Sequence, residues 1–228
     1  MAEHNEAPVL TLKLGGTFAP PMRIILFALL MVLAPATHQA HVLDSIEEED
    51  AASLFKACGL AGVLPQNVFD QALVAASKHG LKPHVIAIAD MTRPSSERRL
   101  FIVDLDAHRL LGTTWVAHGK NSGELMCTSV SNKEGSLKTS KGLYRVGAEI
   151  ESPKHGQALL LHGLDRGVND KALEREIIIH GADYVSASFI QEHGRLGRSF
   201  GCPAVPDAMM PRMVEWLAGD GLLYVHAK

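Results

Sequence analysis

The sequence predicts a mainly β domain with a short helical segment before it and one helix near its C-terminal end. From His84 onward, short apolar and β-branched stretches alternate with turn residues, which is typical of strands. Before His84, and again between Met209 and Leu217, apolar residues recur at helical spacing. With 228 residues, of which 46% are hydrophobic, the chain can bury a substantial core.

The first 40 residues have the pattern of a secretory signal. An apolar run, Ile24–Leu33, follows Met22-Arg23 and precedes Ala34-Pro35-Ala36, which offers small residues to a signal peptidase. The run is short for a membrane-spanning helix, which needs about 20 residues. We therefore assign residues 1–40 to a signal region, with Met22 as an alternative start, and leave open whether it is cleaved or retained as an anchor.

A helical segment is predicted over residues 41–82. Ser45–Glu48 has the form of a capping box before a first helix, in which apolar positions run from Ala51 to Cys58. A second amphipathic helix covers Val68–Ala76 and ends at His79-Gly80. We expect both helices to form a small packing element or lid and not a separate domain.

A mainly β domain is predicted over residues 83–228 and begins with an antiparallel meander of three strands. Residues 118–137 are rich in glycine and serine and predict a long functional loop. A helix between Met209 and Leu217 is closed by Gly219 and precedes the last strand. The predicted strands are Val85–Ala89, Leu100–Leu105, Leu110–Ala117, Leu143–Val146, Leu159–His162, Glu176–His180 and Leu222–His226.

Charge and cysteine content narrow the classes of partner. A formal net charge of −3 argues against nucleic acid or an anionic membrane as the main partner. If the chain is exported, its three cysteines meet an oxidising compartment, where at most one disulfide can form. We expect Cys202 to stay free and leave a Cys58–Cys127 bond open.

One stretch of the chain carries the residues for cysteine chemistry. The β-branched triplet Ile177–Ile179 predicts a buried strand with His180 at its end, and a glycine-rich loop then delivers Cys202. A cysteine nucleophile needs a base to form its thiolate, and a histidine can supply it. The alternatives are a structural cysteine beside a buried histidine, or a zinc site among the chain's 12 histidines. No pair of ligands at short metal-binding spacing flanks Cys202, so we expect no metal.

The pattern resembles the YkuD-type L,D-transpeptidases. It pairs His180-Gly181 with Ser199-Phe200-Gly201-Cys202 and is closest to the branch of murein L,D-transpeptidase catalytic domains with Ser-x-Gly-Cys-Pro-Ala. The resemblance extends from about Phe101 to the C-terminus. Two positions depart from the commoner motif: Phe200 replaces a histidine, and Pro203-Ala204 replaces a hydrophobic residue followed by arginine.

This resemblance implies a YkuD-like β-sandwich or open barrel and a set of residue roles. Cys202 would be the nucleophile and His180 the base, oriented by the carbonyl of Gly181. The backbone amides of Gly201 and Cys202 would form the oxyanion hole, and Ser199 would brace the turn.

The implied activity is murein L,D-transpeptidation without a cofactor. A tetrapeptide stem of peptidoglycan would acylate the cysteine, and an amine acceptor would then resolve the thioester. Water as the acceptor would give an L,D-carboxypeptidase. A hydrolytic cysteine peptidase of the cell envelope that acts on proteins and a non-catalytic wall-binding module remain alternatives. We expect a monomer that associates transiently with the cell wall, in the periplasm or cell envelope of a bacterium, and that binds neither metal nor nucleic acid.

Substrate-binding residues are also predicted. Arg195 and Arg198 precede the cysteine, and arginine binds carboxylates through two parallel hydrogen bonds. We expect one of them to replace the arginine missing from the motif. His118 and His155, each next to a glycine, are expected to line the cleft or to satisfy loop backbone.

Overall fold

One eight-stranded sheet organises residues 51–228, the part of the chain that the computed structural model describes. The predicted signal region and capping box lie outside these residues. The helices are α1 (residues 51–57), α2 (Gln66–Lys78), α3 (Ala187–His193) and α4 (Met210–Leu217). The strands are β1 (Val85–Asp90), β2 (Leu100–Asp104), β3 (Arg109–Thr114), β4 (Gly142–Ser152), β5 (Gly156–Gly163), β6 (Ile178–Gly181), β7 (Ala204–Val205) and β8 (Leu222–His226).

The sheet curves until its two edges nearly meet. Its strand order is β3-β2-β1-β8-β4-β5-β6-β7, so β3 and β7 form the edges. Just beyond β3, the amide of Ala117 donates a hydrogen bond of 2.8 Å to the carbonyl of Ala204 in β7. This contact joins the edges at one point, and the predicted open barrel is confirmed.

The two faces of the sheet bury different clusters, because successive side chains of a strand point to opposite sides. In β1, Ala87 and Ala89 face the inner cluster, which also contains Met213 of α4. Ile86 and Ile88 face the outer cluster, which α1 and α2 cover. The helices of the predicted segment therefore pack directly on the sheet.

The outer and inner clusters also separate two of the cysteines. Cys58 is buried in the outer cluster and Cys127 in the inner one, and all three cysteines are free. The Cys58–Cys127 bond that the sequence left open is therefore absent from the structure.

Within residues 51–228, no helix combines the length and apolar character needed to cross a membrane.

The predicted meander and the helix over Val68–Ala76 are confirmed, whereas two elements were not predicted. Helix α3 buries none of its side chains, so it has no apolar stripe to reveal it. Its signals are the caps, since Ser186 accepts from the amide of Phe189 and Gly194 is left-handed at φ 71°. Strand β7 has only two residues, too few to show alternation.

Candidate active site

The cysteine turn is held by the hydroxyl of Ser199. This hydroxyl donates to the carbonyl of Cys202 at 2.6 Å and accepts from the amide of Gly201 at 3.1 Å. Ser199 therefore links the two sides of the turn. The amide of Gly201 is already used in this contact, which does not favour its expected role as an oxyanion donor.

Glycine is required where three segments meet behind the cysteine. Gly201 has φ +134°, and a Cβ atom there would lie 2.9 Å from the carbonyl oxygen of Lys138. At Gly119, a Cβ atom would lie 2.5 Å from the carbonyl oxygen of Leu137 and 3.0 Å from the Cα of Gly201. The cysteine turn can approach the loop over residues 131–140 only because both positions lack a side chain.

His180 lies buried near the end of β6 in one defined orientation. Its Nδ1 donates to the carbonyl of Gly181 at 2.7 Å, which leaves the lone pair on Nε2. Its ring stacks on that of His155, with the centroids 3.8 Å apart. Because β6 and β7 pair in parallel with His180 opposite Ala204, Cys202 lies two residues before the strand that adjoins the histidine.

Burial favours the neutral forms of both His180 and Cys202. Burial lowers the pKa of His180 to about 4, aided by the charges of His155 and Lys154 and opposed by the hydrogen bond to Gly181. Burial also raises the pKa of the Cys202 thiol. The backbone amides of Ile178 and Cys202 and the charges of Arg175 and Lys154 have the opposite, smaller effects on this pKa. At neutral pH the histidine can therefore accept a proton, and the thiol still has one to give.

The thiol proton has a carbonyl acceptor in this state. The sulfur of Cys202 lies 3.6 Å from the carbonyl oxygen of Glu176, within the range for a weak S–H donor. Glu176 adopts φ 53°, an uncommon conformation for a residue with a side chain. The expected strand over Glu176–His180 therefore starts later, because β6 begins at Ile178.

Sequence reasoning missed Arg175. Its guanidinium donates to the carbonyls of Lys138 at 2.6 Å and Ser131 at 2.9 Å, and to the hydroxyl of Ser140 at 3.0 Å. Its charge favours the thiolate of Cys202. In the sequence it is one basic residue between two glutamates, which indicates an ordinary surface position. Only the fold brings it to the cysteine.

The structure pairs both predicted arginines with one carboxylate. Arg195 Nε lies 3.0 Å from Oε2 of Glu124, and an Nη1 of Arg198 lies 2.5 Å from Oε1 of the same side chain. Arg198 also donates to the carbonyls of Lys120 and Gly123. Both guanidinium groups are thus engaged in fixing the loop around Glu124, which does not favour their predicted role in carboxylate binding.

Of the two predicted cleft histidines, His118 lies inside the protein and His155 lies beside His180. His118 is 1% exposed. Its Nδ1 accepts from the buried Arg99 at 2.7 Å, and its Nε2 donates to the carbonyl of Gly123 at 3.2 Å. The second of the two roles expected for His118, satisfying loop backbone, matches this arrangement.

Acid should destabilise the fold through His118. Its pKa is lowered to about 4, first by burial and then by Arg99, with smaller effects of Arg198 and Arg195, against an ordinary value of 6.5. The unfolded chain therefore binds the proton more tightly, and the free energy of unfolding should fall as the pH drops from 6.5 towards 4. His180 contributes with the same sign.

The His118→Gln variant tests this expectation, because an amide can accept from Arg99 and donate to Gly123 without titrating. Urea unfolding at several pH values gives the free energy of unfolding as a function of pH. Between pH 6.5 and 4 this free energy should change less steeply with pH in the variant than in the wild type, by the equivalent of up to about one bound proton. An unchanged slope would contradict the assignment.

Within residues 51–228, no group of three or more histidine, cysteine, aspartate or glutamate side chains is placed to hold a metal ion. The stacked pair His155–His180 therefore has no third ligand of these types among the described residues.

The cysteine turn and the buried histidine thus lie on neighbouring segments of one open barrel. The family of L,D-transpeptidase catalytic domains, YkuD_2, matches residues 62–226, well over half of the chain. The chain belongs to this family. The match begins at residue 62, within the helical segment. It therefore extends further towards the N-terminus than the resemblance seen in the sequence, which began at about Phe101.

Solved structures with similar folds include several L,D-transpeptidases. One from Mycobacterium smegmatis is 12% identical with a TM-score of 0.39, and the match covers 64% of this chain and 60% of that one. One from Stackebrandtia nassauensis is 15% identical with a TM-score of 0.40, covering 79% and 78%. The chain thus spans less than two thirds of the mycobacterial protein. No curated protein matches it.

Proposed function

We propose that this protein is a peptidoglycan L,D-transpeptidase that works through a thioester on Cys202. Membership of the L,D-transpeptidase catalytic domain family carries the proposal. The neutral His180 with its free Nε2, and the thiol on a braced turn, support it.

In the first half-reaction, His180 takes the proton of Cys202 as the sulfur attacks a stem-peptide carbonyl. The carbonyl is that of the diamino acid in a tetrapeptide stem, and its oxygen gains the negative charge. The bond to the terminal D-alanine then breaks, and the imidazolium returns the proton to the departing amine. The amide of Cys202 is the proposed oxyanion donor, since Gly201 donates to Ser199.

In the second half-reaction, an amine from a neighbouring stem attacks the thioester carbonyl. His180 removes a proton from this amine, and the departing sulfur of Cys202 recovers it. The products are a new amide cross-link and the resting thiol. Since the substrate is the bacterial cell wall, we place the reaction in the cell envelope, reached by the predicted export signal.

Incubation with purified tetrapeptide muropeptides, followed by mass analysis, tests this function. We expect cross-linked dimers formed with loss of D-alanine. Tripeptides alone would mean that water is the acceptor, as in an L,D-carboxypeptidase. Unchanged muropeptides would contradict the proposal and leave a wall-binding module.

A further inference from the structure

An exposed aromatic ring next to the nucleophile lies against two lysines. Phe200, two residues before Cys202, is 57% exposed. The Nζ atoms of Lys120 and Lys154 lie 4.8 Å and 4.9 Å from its ring centroid. Both distances are within the range of a cation–π contact. Because both distances are measured to the same centroid, the separation of the two Nζ atoms cannot exceed the sum of these two distances.

The two lysines come from separate segments whose backbones are fixed at the site. The amide of Lys120 donates to the carbonyl of Ser199 at 2.8 Å, beside Phe200. Lys154 lies in the turn between β4 and β5, next to His155, which stacks on His180. The charge of Lys154 acts on both Cys202 and His180. The pair therefore lies at the edge of the reacting groups.

Neither lysine has an acidic partner among the described residues. The ion pairs of residues 51–228 include Arg195 and Arg198, both with Glu124, but neither Lys120 nor Lys154. Two like charges held near one ring repel each other, and an anion between them would relieve this repulsion. Unlike the arginines, the lysines keep their charge available for a ligand.

We infer that Lys120 and Lys154, positioned by the Phe200 ring, form the site that binds a carboxylate of the acyl-donor peptide. This inference rests on the proposed function, because that function supplies a peptide with free carboxylates. It gives a role to Phe200, which stands where the commoner motif has a histidine. It also assigns carboxylate binding to residues outside the sequence motif, since Pro203 and Ala204 carry no donor side chain.

Binding of stems to the Cys202→Ala protein tests the inference without turnover. Calorimetry would compare a tetrapeptide muropeptide that has free carboxylates with two derivatives, one amidated at the terminal D-alanine and one at the side carboxylate of the diamino acid. We expect one derivative to bind about three- to tenfold more weakly, which identifies the carboxylate. The preference should weaken at high salt, because the lysines are exposed.

In the Cys202→Ala protein, Lys120→Gln and Lys154→Gln should each reduce the preference for the stem with free carboxylates, and both substitutions together should abolish it. Lys56→Gln, an exposed lysine of α1 on the outer side of the sheet, should leave it unchanged. Phe200→Leu should weaken binding of the acidic stem, whereas Phe200→Tyr should preserve it, because tyrosine keeps the aromatic face.

A double lysine variant that keeps the full preference would overturn the inference, as would loss of the preference in Arg195→Gln instead. Failure of the acidic stem to bind would also overturn it. The proposed function fails separately: a wild-type protein that binds stems with this preference but converts none would refute the transpeptidase and leave the lysine site standing.

Discussion

Replacing Cys202 by alanine should abolish product formation from tetrapeptide muropeptides, with a loss of at least about 10⁴-fold. Without the sulfur no thioester can form. Cys202→Ser should leave at most a trace, because a hydroxyl is far less acidic than a thiol and His180, whose pKa is lowered, is a weak base.

Cys127→Ala provides the matched control for this loss. Cys127 is a buried free thiol of the inner cluster, so its removal should cost stability, about 1–2 kcal/mol, and leave the rate per folded molecule unchanged. Rates normalised to folded protein would separate the two effects. Product formation at the wild-type rate by Cys202→Ala would refute the nucleophile assignment.

Replacing His180 by glutamine should reduce turnover by about 10²- to 10⁴-fold while stems still bind. The amide can donate to the carbonyl of Gly181 as the imidazole does, but it cannot accept the thiol proton at any accessible pH. Combining His180→Gln with Cys202→Ala should cost little more than Cys202→Ala alone, because the two groups act as one unit. His193→Gln, an exposed histidine at the end of α3, is the control and should be fully active.

The pH dependence of thiol alkylation separates this mechanism from a preformed thiolate–imidazolium pair. Since the pKa of the Cys202 thiol is raised above its ordinary value, alkylation by iodoacetamide should still be increasing above pH 9. A thiolate already paired with an imidazolium would instead give a plateau through neutral pH. Such a plateau would contradict the neutral resting state.

The candidate pair, Cys202 and His180, could be proposed from the sequence because both residues belong to one local pattern. A β-branched triplet before His180 and a glycine before Cys202 are visible in the chain itself. The structure adds the reason for the pattern. The pairing of β6 with β7 brings the strand of the histidine beside the segment after the cysteine, and Gly201 permits the close approach of the turn to Lys138.

The charged surroundings could not be predicted, because they depend on contacts between distant segments. Arg175, Lys120 and Lys154 are single basic residues in unremarkable local sequences, and only closure of the barrel brings them to the cysteine turn. Arg195 and Arg198 were predicted to bind the carboxylate because they lie near the cysteine in the sequence. Their partner, Glu124, lies more than seventy positions upstream, so the local pattern gave no sign that their charges are paired.

The burial of individual polar side chains also depends on the fold and could not be predicted from the local sequence pattern. His118 stands beside Gly119 in a polar loop, which suggested a cleft position. In the structure it lies against Arg99, the guanidinium of which is itself 0% exposed and reaches the carbonyls of Arg93 and Val116. A buried arginine of this kind cannot be recognised in the sequence, because two of its partners are backbone carbonyls and the third, His118, lies 19 positions away.

The most direct test of the central claim is the mass of the protein after brief incubation with a tetrapeptide muropeptide and acid quenching. We expect an adduct equal to the stem minus its terminal D-alanine, mapped to Cys202 by peptide sequencing and absent from Cys202→Ala. An adduct on another residue, or cross-linked product formed without any adduct on Cys202, would contradict the thioester mechanism.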